Sequence, residues 1–321
     1  MIEMTFSQAS ELLRRVQDAV RSRILGQDGA IEDALVTFLA RGHLLIEGVP
    51  GTAKTLLVRV LASALGVGFG RIQFTPDLMP ADVTGVSLLR DPARGFEFQP
   101  GPIFTDLLLA DEINRAPAKT QSALLEGMAE RQFTVDGVSR PLGSLFTVFA
   151  TQNPVEHEGT YPLPEAQLDR FLLKTVVGYP SAEAELAILA EHEAGFDPER
   201  PGGLGVDAVL TPDESLALRG LIDRVRVAPE VREYISMITR ATRDEPSITL
   251  GASPRATVAL MRAARGGAIL EGRDFVTPDD VKSRVAPALR HRVTLSPELE
   301  VEGRSVDDAL TALVTRIAAP T

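Results

Sequence analysis

The run Gly48-Val49-Pro50-Gly51-Thr52-Ala53-Lys54-Thr55 has the residue types and spacing of a phosphate-binding loop. Backbone N–H groups of such a glycine turn face an anion, the lysine reaches the β- and γ-phosphates, and the hydroxyl of Thr55 suits Mg²⁺. Leu56 is the first apolar residue of the helix that follows. One position departs from the usual pattern. Ala53 stands where glycine is expected, which is harmless if its backbone is helical and costly if its φ is positive. Lys54 is one of only four lysines among 33 basic residues, with Lys119, Lys174 and Lys282, so its place in the loop carries weight. A second group, Leu107-Leu108-Leu109-Ala110-Asp111-Glu112, ends an apolar run in two acids. Beside a phosphate loop, Asp111 would hold Mg²⁺ and Glu112 would orient and activate a water. Taken alone, both acids equally suit the start of a following helix. Asn153, in Gln152-Asn153-Pro154, ends a third apolar run. It is either a polar contact for the γ-phosphate and water or part of an ordinary Asn-Pro turn. Arg170 and Arg255 are candidates for the charge-stabilising arginine that phosphoryl-transfer sites often take from a neighbouring subunit; the plain alternative for each is a solvated surface charge.

These residues need a scaffold that gathers strand ends. The apolar segments His43 to Glu47, Arg71 to Phe74, Leu107 to Ala110, Leu145 to Ala150 and Phe171 to Val177 are nearly continuous rather than alternating, which predicts strands covered on both faces. Helical apolar rhythm covers Phe6 to Val20, Gly29 to Leu39 and the stretch after Thr55. Strand, glycine turn and helix in that order open a parallel α/β sheet. Two hairpins interrupt the pattern. One runs from Gly85 to Leu89, turns at residues 91–95 and returns through Phe98; the other turns at Asp136-Gly137, a strong hairpin signal. After Tyr179-Pro180 the composition changes, with a helix from Ala182 to Ala194 leading into the Pro/Gly-rich stretch 196–203. From Thr211 onward the pattern is helical, and Thr211-Pro212-Asp213-Glu214 and Thr277-Pro278-Asp279-Asp280 both read as helix starts. The expected division is a nucleotide-binding core over 1–180, a linker helix and loop over 181–210, and a helical domain over 211–321.

Composition removes several classes of function. With no cysteine, disulfides, zinc–thiolate clusters and thiol nucleophiles are excluded, and four scattered histidines (His43, His157, His192, His291) do not make a metal site. No apolar run approaches the ~20 residues of a membrane helix, and Met1 to Ser10 lacks the basic-then-apolar order of a signal peptide. A cytoplasmic protein without membrane insertion is expected. The net charge of −11 disfavours a general nucleic-acid coat.

The strings GHLLIEGVPGTAKT, GPIFTDLLLADEINRAPAKTQSALLEGMAERQFTVDG, FATQNPVEHEGTYPLPEAQLDRFLLK and GASPRATVALMRAA resemble the MoxR family of AAA+ ATPases, over about residues 5 to 295. That family writes its loop with alanine at the position of Ala53. The resemblance implies an α/β AAA+ fold: an αβα P-loop core with a five-stranded parallel sheet, an all-helical lid, and ATP between them. It makes Lys54 and Thr55 the Walker A pair, with Gly48, Pro50, Gly51, Thr52, Ala53 and Leu56 around the nucleotide. Asp111 and Glu112 become the Walker B pair, with Mg²⁺ on Thr55 and Asp111. Asn153 matches sensor 1, Arg170 the arginine finger and Arg255 sensor 2, while Leu25 and Gly26 fall where relatives line the adenine pocket. The hairpins match the helix-2 insert and the pre-sensor-1 hairpin. The implied activity is Mg-dependent ATP hydrolysis by a homo-oligomer, a hexameric ring. It would remodel or mature client proteins, metal-cofactor insertion among them, with a von Willebrand factor A domain partner. A Mg-chelatase-type motor subunit is the nearest alternative. A DNA-translocating motor is disfavoured because the hairpin charges nearly balance, Arg90 and Arg94 against Asp91 and Glu97, and Arg131 and Arg140 against Asp136. A non-hydrolysing nucleotide-gated scaffold is disfavoured by the presence of both Glu112 and Arg170.

Overall fold

The structure, a computed structural model, describes residues 2–91, 95–153, 160–200 and 202–320. The turn residues 92–94, which include Arg94, lie outside the described residues, as do Pro154 and His157 and, in the expected linker, Pro201. Of Arg90 and Asp91 only the backbone is described.

Helix α1 (Phe6–Arg21) opens with a capping box between Thr5 and Gln8 and buries Ala9, Leu13, Val16 and Val20, the apolar stripe visible in the sequence. Helix α2 (Asp28–Leu39) is buried along most of its length. Strand β1 (Leu44–Gly48) runs through the phosphate loop into α3 (Lys54–Ala64). The core continues with β2 (Phe69–Gln73), a short α4 (Pro80–Thr84) and the hairpin β3 (Gly85–Asp91) and β4 (Gly95–Pro100). Next come β5 (Leu107–Asp111), α5 (Ala118–Glu130), the hairpin β6 (Gln132–Val135) and β7 (Val138–Pro141), β8 (Thr147–Gln152), α6 (Glu165–Leu168) and β9 (Leu173–Val177). The second hairpin turns where expected, with Asp136 at φ 53° and Gly137 at φ 76°, the paired positive values that a two-residue turn needs to match strand twist.

Five strands form one sheet in the order β2-β5-β8-β1-β9, and every neighbouring pair is parallel. Strands β5 and β8 are buried on both faces, apart from the half-buried last residue of β8, which explains their unbroken apolar runs. Each fully buried Leu or Val there contributes roughly 1.5–3 kcal/mol. Because the strands are parallel, their C-terminal ends share one edge. That edge carries the loop after β1, the acids at the end of β5 and the polar residues at the end of β8, the usual place for a ligand in such a sheet.

Helix α7 (Ala182–Glu193) follows and buries no residue. The remainder is α8 (Pro212–Gly220), α9 (Pro229–Asp244), α10 (Pro254–Leu270), α11 (Pro278–Leu289), α12 (Pro297–Val301) and α13 (Val306–Arg316), with a short antiparallel pair, β10 (Ile248–Leu250) and β11 (Thr294–Leu295). Thr211 and Thr277 both close capping boxes, with Glu214 and Asp280, as the sequence predicts. One apolar cluster joins α1, α2 and α3 to α9, α10, α11 and α13, so the lid shares its core with the α/β layer. The seam also carries charge. Arg284 on α11 reaches Asp33 at 2.9 Å and also bonds Glu32, both on α2. Among the described residues no helix is long and apolar enough to cross a membrane.

Candidate active site

The loop after β1 is shaped by its own backbone. Gly51 has φ 82°, and the Thr52 hydroxyl donates to Val49 O at 2.9 Å. Lys54 Nζ donates to Gly48 O at 2.6 Å and Val49 O at 2.8 Å, folding its cation over the loop. No side chain caps the start of α3, which leaves its first N–H groups for an anion. Ala53 takes the costly branch of the sequence expectation, since it lies at φ 59°, ψ 21° in the left-handed region.

Two cavities meet at this loop, and Gly51, Thr52, Ala53 and Leu56 line both. The larger, about 370 Å³, is polar chemistry brought together: Lys54 and Thr55 face Asp111, Glu112 and Asn153. The Thr55 hydroxyl lies 3.3 Å from Asp111 Oδ2, and the Thr151 hydroxyl donates to Asp111 Oδ1 at 2.6 Å. Glu112 sits at φ 56°, ψ 50°. Its amide donates to the Thr151 hydroxyl at 2.9 Å, and its Oε2 accepts from Gln73 Nε2 at 2.8 Å. Arg115 Nε is 3.3 Å from the same oxygen. Arg71 on β2 places Nε 3.2 Å and a terminal nitrogen 2.6 Å from Asp111 Oδ2.

The smaller cavity, about 230 Å³, is more apolar, with Leu25, Ile188, Phe196 and Pro198 among its walls. Gly26 supplies the adjoining turn with φ 73°, and a side chain there would bring its Cβ within 3.1 Å of the Ala184 Cβ. The segment expected only to link the two parts thus roofs this cavity. Arg23 fastens it, pairing with Glu191 at 2.5 Å and lying 4.9 Å over the Phe196 ring.

Sequence reasoning missed Arg71, Gln73, Thr151, Ile188 and Phe196. The period-two polar pair Arg71 and Gln73 in a strand was the available signal, but it needed the knowledge that β2 pairs with β5, Gln73 opposite Asp111.

Arg170 and Arg255 lie elsewhere. Both line a third cavity of about 460 Å³, with Arg41, Arg131, Arg262 and Arg292. Arg170 precedes β9, which runs parallel to β1 with Leu173 opposite Leu44 and Val177 opposite Gly48. It therefore stands at the N-terminal edge of the sheet, more than about 13 Å along the strand direction from the phosphate loop. Asp169 ties this face together: Arg292 Nε donates to it at 2.6 Å, the Ser253 hydroxyl at 3.3 Å, and Arg255 is 3.7 Å away. Nearby Arg219 is buried, and its guanidinium finds no hydrogen-bond acceptor among the described residues. Burial, then the charges of Arg131, Arg41 and Arg262, pull its pKa down to about 9. No residue of 211–321 lines either cavity at the phosphate loop, whereas Ile188, Phe196 and Pro198 of the preceding segment line the smaller one. The lid packs against α1, α2 and β9 instead.

The donor set suits a magnesium nucleotide. A hydroxyl and a carboxylate are hard oxygen ligands, few enough to leave places for phosphate oxygens and water. Among the described residues no group of three or more His, Cys, Asp or Glu could hold a metal by itself.

The family described as "ATPase family associated with various cellular activities (AAA)" matches residues 43–173, and the AAA lid domain matches residues 240–313. Chaperone MoxR1 of Mycobacterium tuberculosis is 42% identical over 96% of this chain and 82% of its own length. The uncharacterised protein YeaC of Bacillus subtilis is 44% identical over 96% of this chain and 95% of its own. A crystal structure from Cytophaga hutchinsonii, provisionally described as an ATPase, superposes with a TM-score of 0.88 at 37% identity, covering 98% of this chain and 97% of that one. The chain belongs to the MoxR family of AAA+ ATPases.

Proposed function

We propose that the chain hydrolyses ATP with Mg²⁺ at a site completed by a neighbouring copy, and uses the cycle to remodel partner proteins. The observation that carries this reading is the separation of two half-sites. Lys54, Thr55, Asp111, Glu112 and Asn153 share one cavity, and Arg170 and Arg255 share another. Thr55 and Asp111 would hold Mg²⁺, which supplies positive charge to the phosphates when bound. Lys54 and the uncapped start of α3 grip the phosphate chain, and Leu25, Ile188 and Phe196 enclose the base. Glu112, held by Gln73 and Arg115, takes a proton from a water aimed in line at the γ-phosphorus, with Asn153 beside it. The negative charge that develops needs a further cation. Arg170 and Arg255 stand on the far edge of their own chain, so a ring in which each copy offers them to the next supplies it. A six-membered ring is the arrangement expected of this family.

The remodelling role draws on the chaperone name of the mycobacterial relative and on the first hairpin, where Leu89 pairs across the ladder with Phe96 and both are exposed. Apolar side chains presented on a projecting hairpin suit a protein client. A nucleic-acid track is not supported. Arg140 stacks 3.6 Å over the Phe98 ring, and Arg131 turns inward to Arg41 O at 2.8 Å, so neither offers a phosphate contact. A von Willebrand factor A domain protein is the partner class to test first.

ATPase rate against protein concentration, with mass in solution followed with and without Mg-ATP, tests the reading. Specific activity should rise as an assembly forms, and Glu112→Gln should bind ATP in that assembly and stall. A monomer that turns over equally at every concentration rules out the shared site.

A further inference from the structure

The Asp111 carboxylate has only 9% of its side chain exposed, and a buried carboxylate needs a cation beside it. Its Oδ1 is taken by the Thr151 hydroxyl. Its Oδ2 is the oxygen nearest the Thr55 hydroxyl, and therefore the one a metal shared by both residues would use. Arg71 already sits on that oxygen with two nitrogens, at 3.2 and 2.6 Å. The same terminal nitrogen donates to Gln73 Oε1 at 2.7 Å, and Gln73 holds Glu112. The β2 pair thus links both acids of the site. Arg71 belongs to the wall of the phosphate cavity and its side chain is 47% exposed, so it has room to leave Asp111 and stay beside the phosphates.

We propose that Arg71 is the resident counter-cation of the metal position: it neutralises Asp111 when no metal is bound, and yields Oδ2 to Mg²⁺ while remaining against the phosphate chain. This rests on the ATPase reading above. Two consequences follow from charge alone. A nucleotide without metal meets Asp111 already neutralised, so its binding depends on Arg71. A magnesium nucleotide must displace Arg71 from Oδ2, so removing the arginine takes away a competitor. Both effects move the metal dependence of binding in the same direction.

The test is equilibrium binding of ATP and ADP to the full chain in excess chelator and in excess Mg²⁺, for wild type, Arg71→Ala and Arg71→Lys, with thermal unfolding to confirm that each variant is folded. The ratio of the chelator Kd to the Mg²⁺ Kd should rise about tenfold or more in Arg71→Ala, equivalent to about 1.4 kcal/mol, and fall partway back in Arg71→Lys. An unchanged ratio, or equal weakening under both conditions, overturns the proposal and leaves Arg71 an ordinary phosphate ligand or a structural residue. Failure of the wild type to bind nucleotide under either condition would instead remove the ATPase reading. The two failures are thus told apart.

Discussion

Ala53 carries a methyl at φ 59° in the turn between β1 and α3, and Glu112, across the cavity, lies at φ 56°. Non-glycine residues in this region cost roughly 1–2 kcal/mol each, and here both belong to the phosphate cavity. The sequence showed that Ala53 replaces a glycine and named the two energetic outcomes, but φ depends on how the loop is held between β1 and α3. For Ala53→Gly, relief of the left-handed strain outweighs the added freedom of the unfolded chain, and the variant should gain up to about 1 kcal/mol in urea unfolding. A loss of stability would show that the loop relaxes Ala53 out of this region in solution. The lysines repeat the lesson. Lys54 was legible from its motif, whereas Lys174 is explained only by a partner distant in sequence, Glu47 on β1, at 2.8 Å.

At the scale of elements, β5 and β8 were readable because burial on both faces leaves unbroken apolar runs, and the Asp136-Gly137 turn because few other residues take paired positive φ; the edge strand β2, expected to be covered on both faces, is instead exposed at three of its five residues. The role of α7 was not readable. Its sequence shows no buried stripe, and its value lies in Ile188, Glu191 and His192 closing the apolar cavity from a distance. His43, at the entry to β1, joins three elements. Its Nδ1 accepts from the Val148 amide at 2.9 Å, which puts the ring proton on Nε2, 3.2 Å from Met128 O. Burial, then the Arg131 charge, lowers its pKa to about 3, against about 6.5 in an unfolded chain. The folded state therefore keeps His43 neutral while the unfolded state gains a proton as pH falls. The stability this contributes is complete above about pH 6.5 and is lost progressively toward pH 3. Between pH 7.5 and pH 4.5 the loss is on the order of 3 kcal/mol. His43→Gln keeps one acceptor and one donor without titrating, so its unfolding free energy should fall by about that much less than wild type over the same interval. Equal acid sensitivity in the two proteins would place the His43 titration near its ordinary value.

For the molecule as a whole, the phosphate loop and the arginine face lie at opposite edges of one sheet, and the lid is fixed to the second. Arg292, buried on the lid side, grips Asp169 and the carbonyls of Asp169, Phe171 and Leu172, and His291 adds a contact to Phe171 O at 3.1 Å. A motif marks Arg170 and Arg255 as candidates for phosphate handling, but it carries no information about whose phosphate they would meet. Strand order and register, which are long-range facts, place Arg170 away from the phosphate loop of its own chain. If each site is built from two copies, two inactive chains can repair each other. Lys54→Ala lacks the grip on its own phosphate but retains Arg170, and Arg170→Ala has the reverse defect. In a freely exchanging equal mixture, roughly a quarter of the interfaces join an intact Lys54 to an intact Arg170. ATPase activity should therefore reappear in the mixture at roughly that fraction of wild type, while each variant alone remains inactive. Complementation of this kind cannot arise from a site complete within one chain. A mixture no more active than the sum of its parts, under conditions where labelled subunits are seen to exchange, would place Arg170 outside the neighbour's site and leave its convergence with Arg255 a feature of lid attachment alone.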